Sequence, residues 1–136
     1  MYTMKEVCYL CDLSYDTLKF YCNKGLIPNV KRDKNNYRIF NKHDVDWIKS
    51  LTCLKKCGMT ISEMQQYLEY CLVGQESINQ RKIMLDKKKM ELLEQLKTVE
   101  ASIDYIDNKQ NYYDDVLSGN VIYRSNLMTE EPVENY

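Results

Sequence analysis

Residues 14–40 read SYDTLKFYCNKGLIPNVKRDKNNYRIF, and this stretch decides the fold. Ser14 is a good N-cap residue, so a helix is predicted from Tyr15 to Lys24. Gly25 is a natural residue just past the end of such a helix, and Pro28 prevents it from resuming. Residues 29–40 alternate loosely and carry Lys31, Arg32, Lys34 and Arg38. Asn35-Asn36 in their middle tolerates the positive φ of a tight turn, which predicts a two-stranded basic hairpin. A short helix beside a basic hairpin can reach the groove and the backbone of a DNA duplex together.

The flanks agree with this reading. Upstream, Thr3-x-x-Glu6 is a capping box, so a first helix runs from near Met4 to Cys11–Asp12. The short turn to the second helix makes a helix-turn-helix. Downstream, Asn41 can cap a third helix from Lys42 to about Cys57, which Gly58 closes. Thr60-x-x-Glu63 is another capping box and opens a fourth helix, ending near Leu72 ahead of Gly74.

From residue 75 the pattern changes. Leu85, Leu92, Val99, Ile106 and Tyr113 are spaced by seven. Leu96, Ile103 and Leu117 form a second series of that period, offset by four, with Lys89 and Gln110 as polar exceptions. This is a heptad seam. No Pro or Gly interrupts residues 75–118, so a single helix is predicted there, roughly 65 Å long. Nothing else in 136 residues could cover the stripe along its length, so a homodimer is expected. The predicted domains are a DNA-binding domain over 1–73, a dimerisation helix over 75–118, and a loose acidic tail over 119–136.

Composition excludes several classes. No apolar run approaches the ~18–20 residues needed to span a bilayer. The opening MYTMKEVCYL has no basic segment followed by an apolar one, so no secretion signal is read there. Six cysteines without such a signal argue for free thiols in a cytoplasmic protein. No Ser/His/Asp set, catalytic carboxylate pair or phosphate loop is seen, so no enzyme, cofactor or metal site is expected. The net charge of −1 hides an asymmetry: residues 1–60 hold eleven Lys/Arg against six Asp/Glu, while the rest hold eight against fourteen. A basic first half suits a polyanionic partner.

Four motifs in order resemble the MerR family of transcriptional regulators. Ser14 to Tyr21 is similar to the family segment ending in Thr-Leu-Arg-Tyr-Tyr. Gly25-Leu26-Ile27-Pro28 follows at the family's spacing. Asn36-Tyr37-Arg38-Ile39-Phe40 resembles its Gly-Tyr-Arg-x-Tyr wing, and Gly58 to Met64 its Gly-Met-Ser/Thr-Leu-x-Glu-Ile junction. Two departures stand out: Lys19 replaces an Arg and so loses bidentate geometry, and Cys22 replaces an acidic residue. The resemblance implies a mostly α fold, a winged helix-turn-helix followed by a long antiparallel coiled-coil dimerisation helix.

The recognition helix would then lie in the major groove, its first half nearest the bases. Tyr15, Asp16 and Thr17 lie there, with Lys19 and Phe20 toward the backbone. Leu18 and Tyr21 fall opposite, as core or interface; the resemblance places Tyr21 near a phosphate. In the wing Arg38 is the best phosphate contact, with Tyr37 beside it and Lys31, Arg32 and Lys34 adding attraction. The family implies a dimer that distorts promoter DNA for RNA polymerase when a signal arrives.

Metal and iron–sulfur sensors of the family carry cysteines after the dimerisation helix, and this chain has none after Cys71. Trp47-Ile48, Cys53 and Gly58 instead resemble the aldehyde- and electrophile-responsive branch. By that resemblance Cys53 is the sensor, followed by Lys55 and Lys56, with Cys57 one turn on as a resolving thiol. The bland reading makes Cys53 a core residue. Cys8-x-x-Cys11 has redox spacing but no βαβ context, so both are read as packing residues, and His43 as solvated. The competing class is a thiol- or metal-linked redox protein using Cys8, Cys11, Cys53 and Cys57.

Overall fold

The computed structural model describes residues 1–128, in two compact units, Met1–Leu92 and the residues from Leu93 onward. The first unit begins with strand β1 (Tyr2–Thr3), helix α1 (Met4–Cys11) and helix α2 (Tyr15–Asn23). Strands β2 (Lys31–Arg32) and β3 (Arg38–Phe40), helix α3 (Lys42–Lys56) and helix α4 (Ile61–Val73) follow. A 3₁₀ turn, Gln75–Ser77, leads into α5 (Ile78–Leu117), whose course continues into the second unit.

Local chemistry accounts for the helix starts. Thr3 and Thr60 each accept a hydrogen bond from the N–H of the Glu three residues on, and each Glu reaches back to the cap N–H. Asn41 and Asp44 do the same at α3, with a shorter acid closing the box. Ser14 caps α2 through the Thr17 N–H at 3.1 Å. α1 ends in a left-handed Asp12 and α2 in Gly25 at φ +71°.

The helices bury one stripe each. Val7 and Cys11 on α1, Leu18 and Tyr21 on α2, and Val45, Ile48 and Leu51 on α3 meet Leu26, Phe40, Met59 and Met64 in one core. Residues three and four apart on a helix share a face, which is why these pairs point together. Burying each large side chain contributes about 1.5–3 kcal/mol. The Trp47 indole N–H donates to the Leu26 carbonyl at 2.7 Å, fastening the Gly-Leu-Ile-Pro exit onto α3.

The sheet has a strand that the sequence reading lacked. Its order is β1-β3-β2, antiparallel throughout, with Tyr2 opposite Phe40 and Arg32 opposite Arg38. Two residues are too few for an alternation to show, so β1 exists only through its partner. It anchors the base of the hairpin beside α1.

Lys88 on α5 is 7% exposed and gathers the end of α3 and the start of α4. Its ammonium donates to the Gly58 carbonyl at 3.4 Å, to Glu63 at 3.3 Å and to Glu91 at 2.8 Å. Glu91, then Glu63, hold the Lys88 pKa above its ordinary value. Around the α4–α5 turn the Arg81 guanidinium donates to Ser77 and to the Gly74 carbonyl, and the Ser77 hydroxyl donates to the Tyr70 carbonyl.

The cap carboxyls of Glu6 and Glu63 lie below the usual carboxylate range, first because the N–H groups of Thr3 and Thr60 donate to them. A carboxyl that titrates lower folded than unfolded stabilises fully above its unfolded value, and that contribution fades as pH falls through the folded one. Glu63→Gln, which keeps the shape of the cap and loses its charge, should therefore lower stability by about 0.3–1 kcal/mol at neutral pH. Its deficit relative to the parent should shrink on acidification below the carboxylate range, followed by helix signal in denaturant titrations. A deficit independent of pH would separate the cap from the Glu63 charge.

Along α5 the apolar seam residues face solvent in the single chain, except Leu92, which is half-buried. Leu85 at the helix start and Leu96, Val99, Ile103, Ile106, Tyr113 and Leu117 beyond it are 41–86% exposed. Residues 119–128, read from composition as loose tail, return to α5: the Tyr112 hydroxyl accepts from the Arg124 N–H at 2.8 Å and donates to its carbonyl at 3.1 Å. Residues 129–136 of the expected tail lie outside the described residues.

Candidate nucleic-acid interface

Ser14 sets the start of α2 and positions its first turn. The Ser14 hydroxyl also donates to the Thr17 hydroxyl at 2.8 Å, so Thr17 keeps its own proton for another acceptor. Tyr15 is 55% exposed, and Asp16, Lys19 and Phe20 are exposed with it. Lys24 lies over the Phe20 ring, 5.5 Å from its centroid, which holds a cation at the far end of the same helix. The Gln65 amide donates to the Lys24 carbonyl at 3.0 Å and braces that end from α4.

The wing is built by its turn. The Asp33 carboxylate accepts from the N–H groups of Asn35 and Tyr37, and Asn36 adopts φ +65°. Arg32 donates to the Asn36 carbonyl at 2.8 Å, so this cation serves the hairpin as well as its surface charge. Lys31, Lys34 and Tyr37 are exposed. Arg38 is half-buried and donates to the Asn23 side-chain oxygen at 2.9 Å. That bond ties the wing to the last turn of α2, so helix and hairpin present one surface.

The other expected contact residues on α2 and the wing are exposed or half-buried, and Tyr21 is not. Tyr21 is 3% exposed and packs in the core with Leu18, because both lie on the face of α2 toward α1. Burial raises the Tyr21 pKa. The sequence reading missed Asn23, Lys24 and Gln65. Asn23 and Gln65 reach partners 15 and 41 residues away, which no local pattern reports.

Five of the six cysteines fall into two groups. Cys11 is buried, its thiol 3.8 Å from the Val45 carbonyl, and Cys8 and Cys22 are partly buried against the core. Burial pushes all three thiols above their ordinary pKa, which favours inert packing. Cys53 instead is exposed near the end of α3, with half-buried Cys57 at its cap. His43 is exposed. No group of three or more His, Cys, Asp or Glu suited to a metal is found among the described residues.

A capped helix-turn-helix with a tethered basic wing defines a winged helix-turn-helix protein. Residues 2–71 match the MerR HTH family of regulatory proteins, and the chain belongs to that family of transcriptional regulators, which bind promoter DNA. It is 29% identical over 112 residues to an uncharacterised HTH-type transcriptional regulator of Haemophilus influenzae, covering 82% of this chain and 83% of that one. It is 31% identical over 82 residues to the HTH-type transcriptional regulator AdhR of Bacillus subtilis, covering 60% and 59%. The structure of HiNmlR, a MerR family regulator lacking the sensor domain and bound to promoter DNA, superposes with a TM-score of 0.72 at 27% identity, covering 86% and 93%. A MerR family regulator from Bacillus thuringiensis gives 0.69 at 25% identity, covering 82% and 98%.

Proposed function

We propose that this protein is a homodimeric, cytoplasmic regulator that grips promoter DNA through α2 and the wing and distorts it for RNA polymerase. The observation that supports this most is the Arg38–Asn23 bond, which makes one surface of the recognition helix and the basic hairpin. Tyr15, Asp16 and Thr17 reach the base edges; Lys19, Phe20, Tyr37, Arg38 and the Lys31–Arg32 strand address the sugar-phosphate backbone. Lys19 acts as a point charge, so register depends more on Arg38. The exposed Leu85–Leu117 seam takes a second copy, and two heads on one seam match a near-palindromic operator. Binding of a promoter fragment should weaken steeply as salt rises. Salt-independent binding, or none, would overturn the assignment.

We assign the signal to Cys53. Its exposure, and its place one turn before Cys57, support an electrophile adding to its sulfur. The end of α3 meets Gly58, whose carbonyl Lys88 holds, and Cys53 stands five residues before that glycine along the chain. Cys53→Ser should bind the promoter as the parent does and lose aldehyde-induced transcription in a reporter assay. A normal response in that variant would sink the idea.

A further inference from the structure

The returning segment after α5 borders an open cleft of about 920 Å³ against the end of that helix, near the upper end of the ~300–1,000 Å³ usual for small-molecule sites. Its lining is selective. Residues 93–128 carry six carboxylates, three cations and four tyrosines. None of the carboxylates lines the cleft, whereas two cations, Lys109 and Arg124, and all four tyrosines do. An acid-rich stretch has thus turned its aromatic rings and positive charge toward one space.

The cleft is also preformed. The Tyr112 hydroxyl holds both backbone groups of Arg124, so the segment need not order itself around a ligand. The Lys109 ammonium stands 5.9 Å from the centroid of the Tyr105 ring, which sets a positive charge beside an aromatic face. Tyr105 is 65% exposed and Tyr123 53%, leaving ring faces for a planar guest. Tyr105, Lys109 and Tyr112 follow one another by four and three and form a face of α5 apart from the heptad seam; Tyr113 alone belongs to both.

We propose that this cleft binds a small aromatic carboxylate, with the carboxylate on Lys109 and the ring against Tyr105 and Tyr123. The site is independent of Cys53 and needs neither DNA nor a thiol.

The test is a titration of the isotope-labelled full chain with benzoate, followed by amide shifts. Saturable shifts confined to residues around the cleft are expected, with a dissociation constant of about 10 µM–1 mM. Benzylamine, of the wrong charge, and cyclohexanecarboxylate, without the π-face, should each bind about tenfold more weakly or worse. Lys109→Glu and Tyr123→Leu should each weaken benzoate at least about tenfold with far-ultraviolet circular dichroism unchanged. Shifts that do not saturate, benzylamine binding as well as benzoate, or unchanged affinity in Lys109→Glu would overturn the proposal. So would cleft shifts that follow protein concentration and ignore benzoate, because a second copy would then fill the space.

Discussion

Replacing Leu92 and Val99 together with Asp should convert the protein to monomers and lower promoter affinity by about 10²–10⁴-fold, the usual gain from linking two binding heads. Val99 and the other apolar seam side chains from Leu96 to Leu117 are exposed and Leu92 is half-buried, and covering each exposed one is worth about 1.5–3 kcal/mol. Two Asp per copy place four carboxylates where two helices would close on each other, and an unpaired buried charge is strongly disfavoured. Light scattering reads the mass and a promoter fragment reads the affinity. The head keeps its own core of Val7, Leu18, Phe40, Ile48 and Leu51, so the N-terminal helices should persist in the monomer. A dimer that survives both substitutions would rule out the seam.

Arg38→Ala should weaken promoter binding roughly tenfold per head, the worth of a charged hydrogen bond. It should also lower the salt slope by about one per head, since one phosphate contact is lost. Every promoter sequence should suffer alike, because a backbone contact reads no bases. Asn23→Ala separates two roles of the arginine. It removes the bond that aims Arg38 and leaves the charge, so affinity should fall while the salt slope stays close to the parent's. Unchanged affinity in Arg38→Ala would refute the wing assignment, and an Asn23→Ala slope as low as that of Arg38→Ala would deny Asn23 its aiming role.

Much of the head was legible from short spacings. Thr3 with Glu6, Thr60 with Glu63 and Ser14 before Tyr15 act over three residues, and their hydrogen bonds lie where those residues predict. Asn35-Asn36 announced the turn, and Asn36 takes the left-handed conformation. Tyr21 shows the limit of a resemblance. The helical period left it as core or interface, and the packing of α2 against α1 placed its ring in the core. Cys53 shows the limit of residue type, since a thiol that is usually buried is exposed here.

By itself the sequence determined the helices, their caps, the wing turn, the heptad seam and the basic charge of the first half. Each is an interaction between residues one to seven apart, or a sum over residues. Only the tertiary structure decided the rest: β1 against β3 across 38 residues, Trp47 on Leu26 across 21, and Lys88 on Gly58 across 30. It also decided the aim of Arg38 and the tyrosine cleft after α5. Those depend on how capped helices pack, and shape complementarity of whole faces leaves no fixed interval in the chain to read.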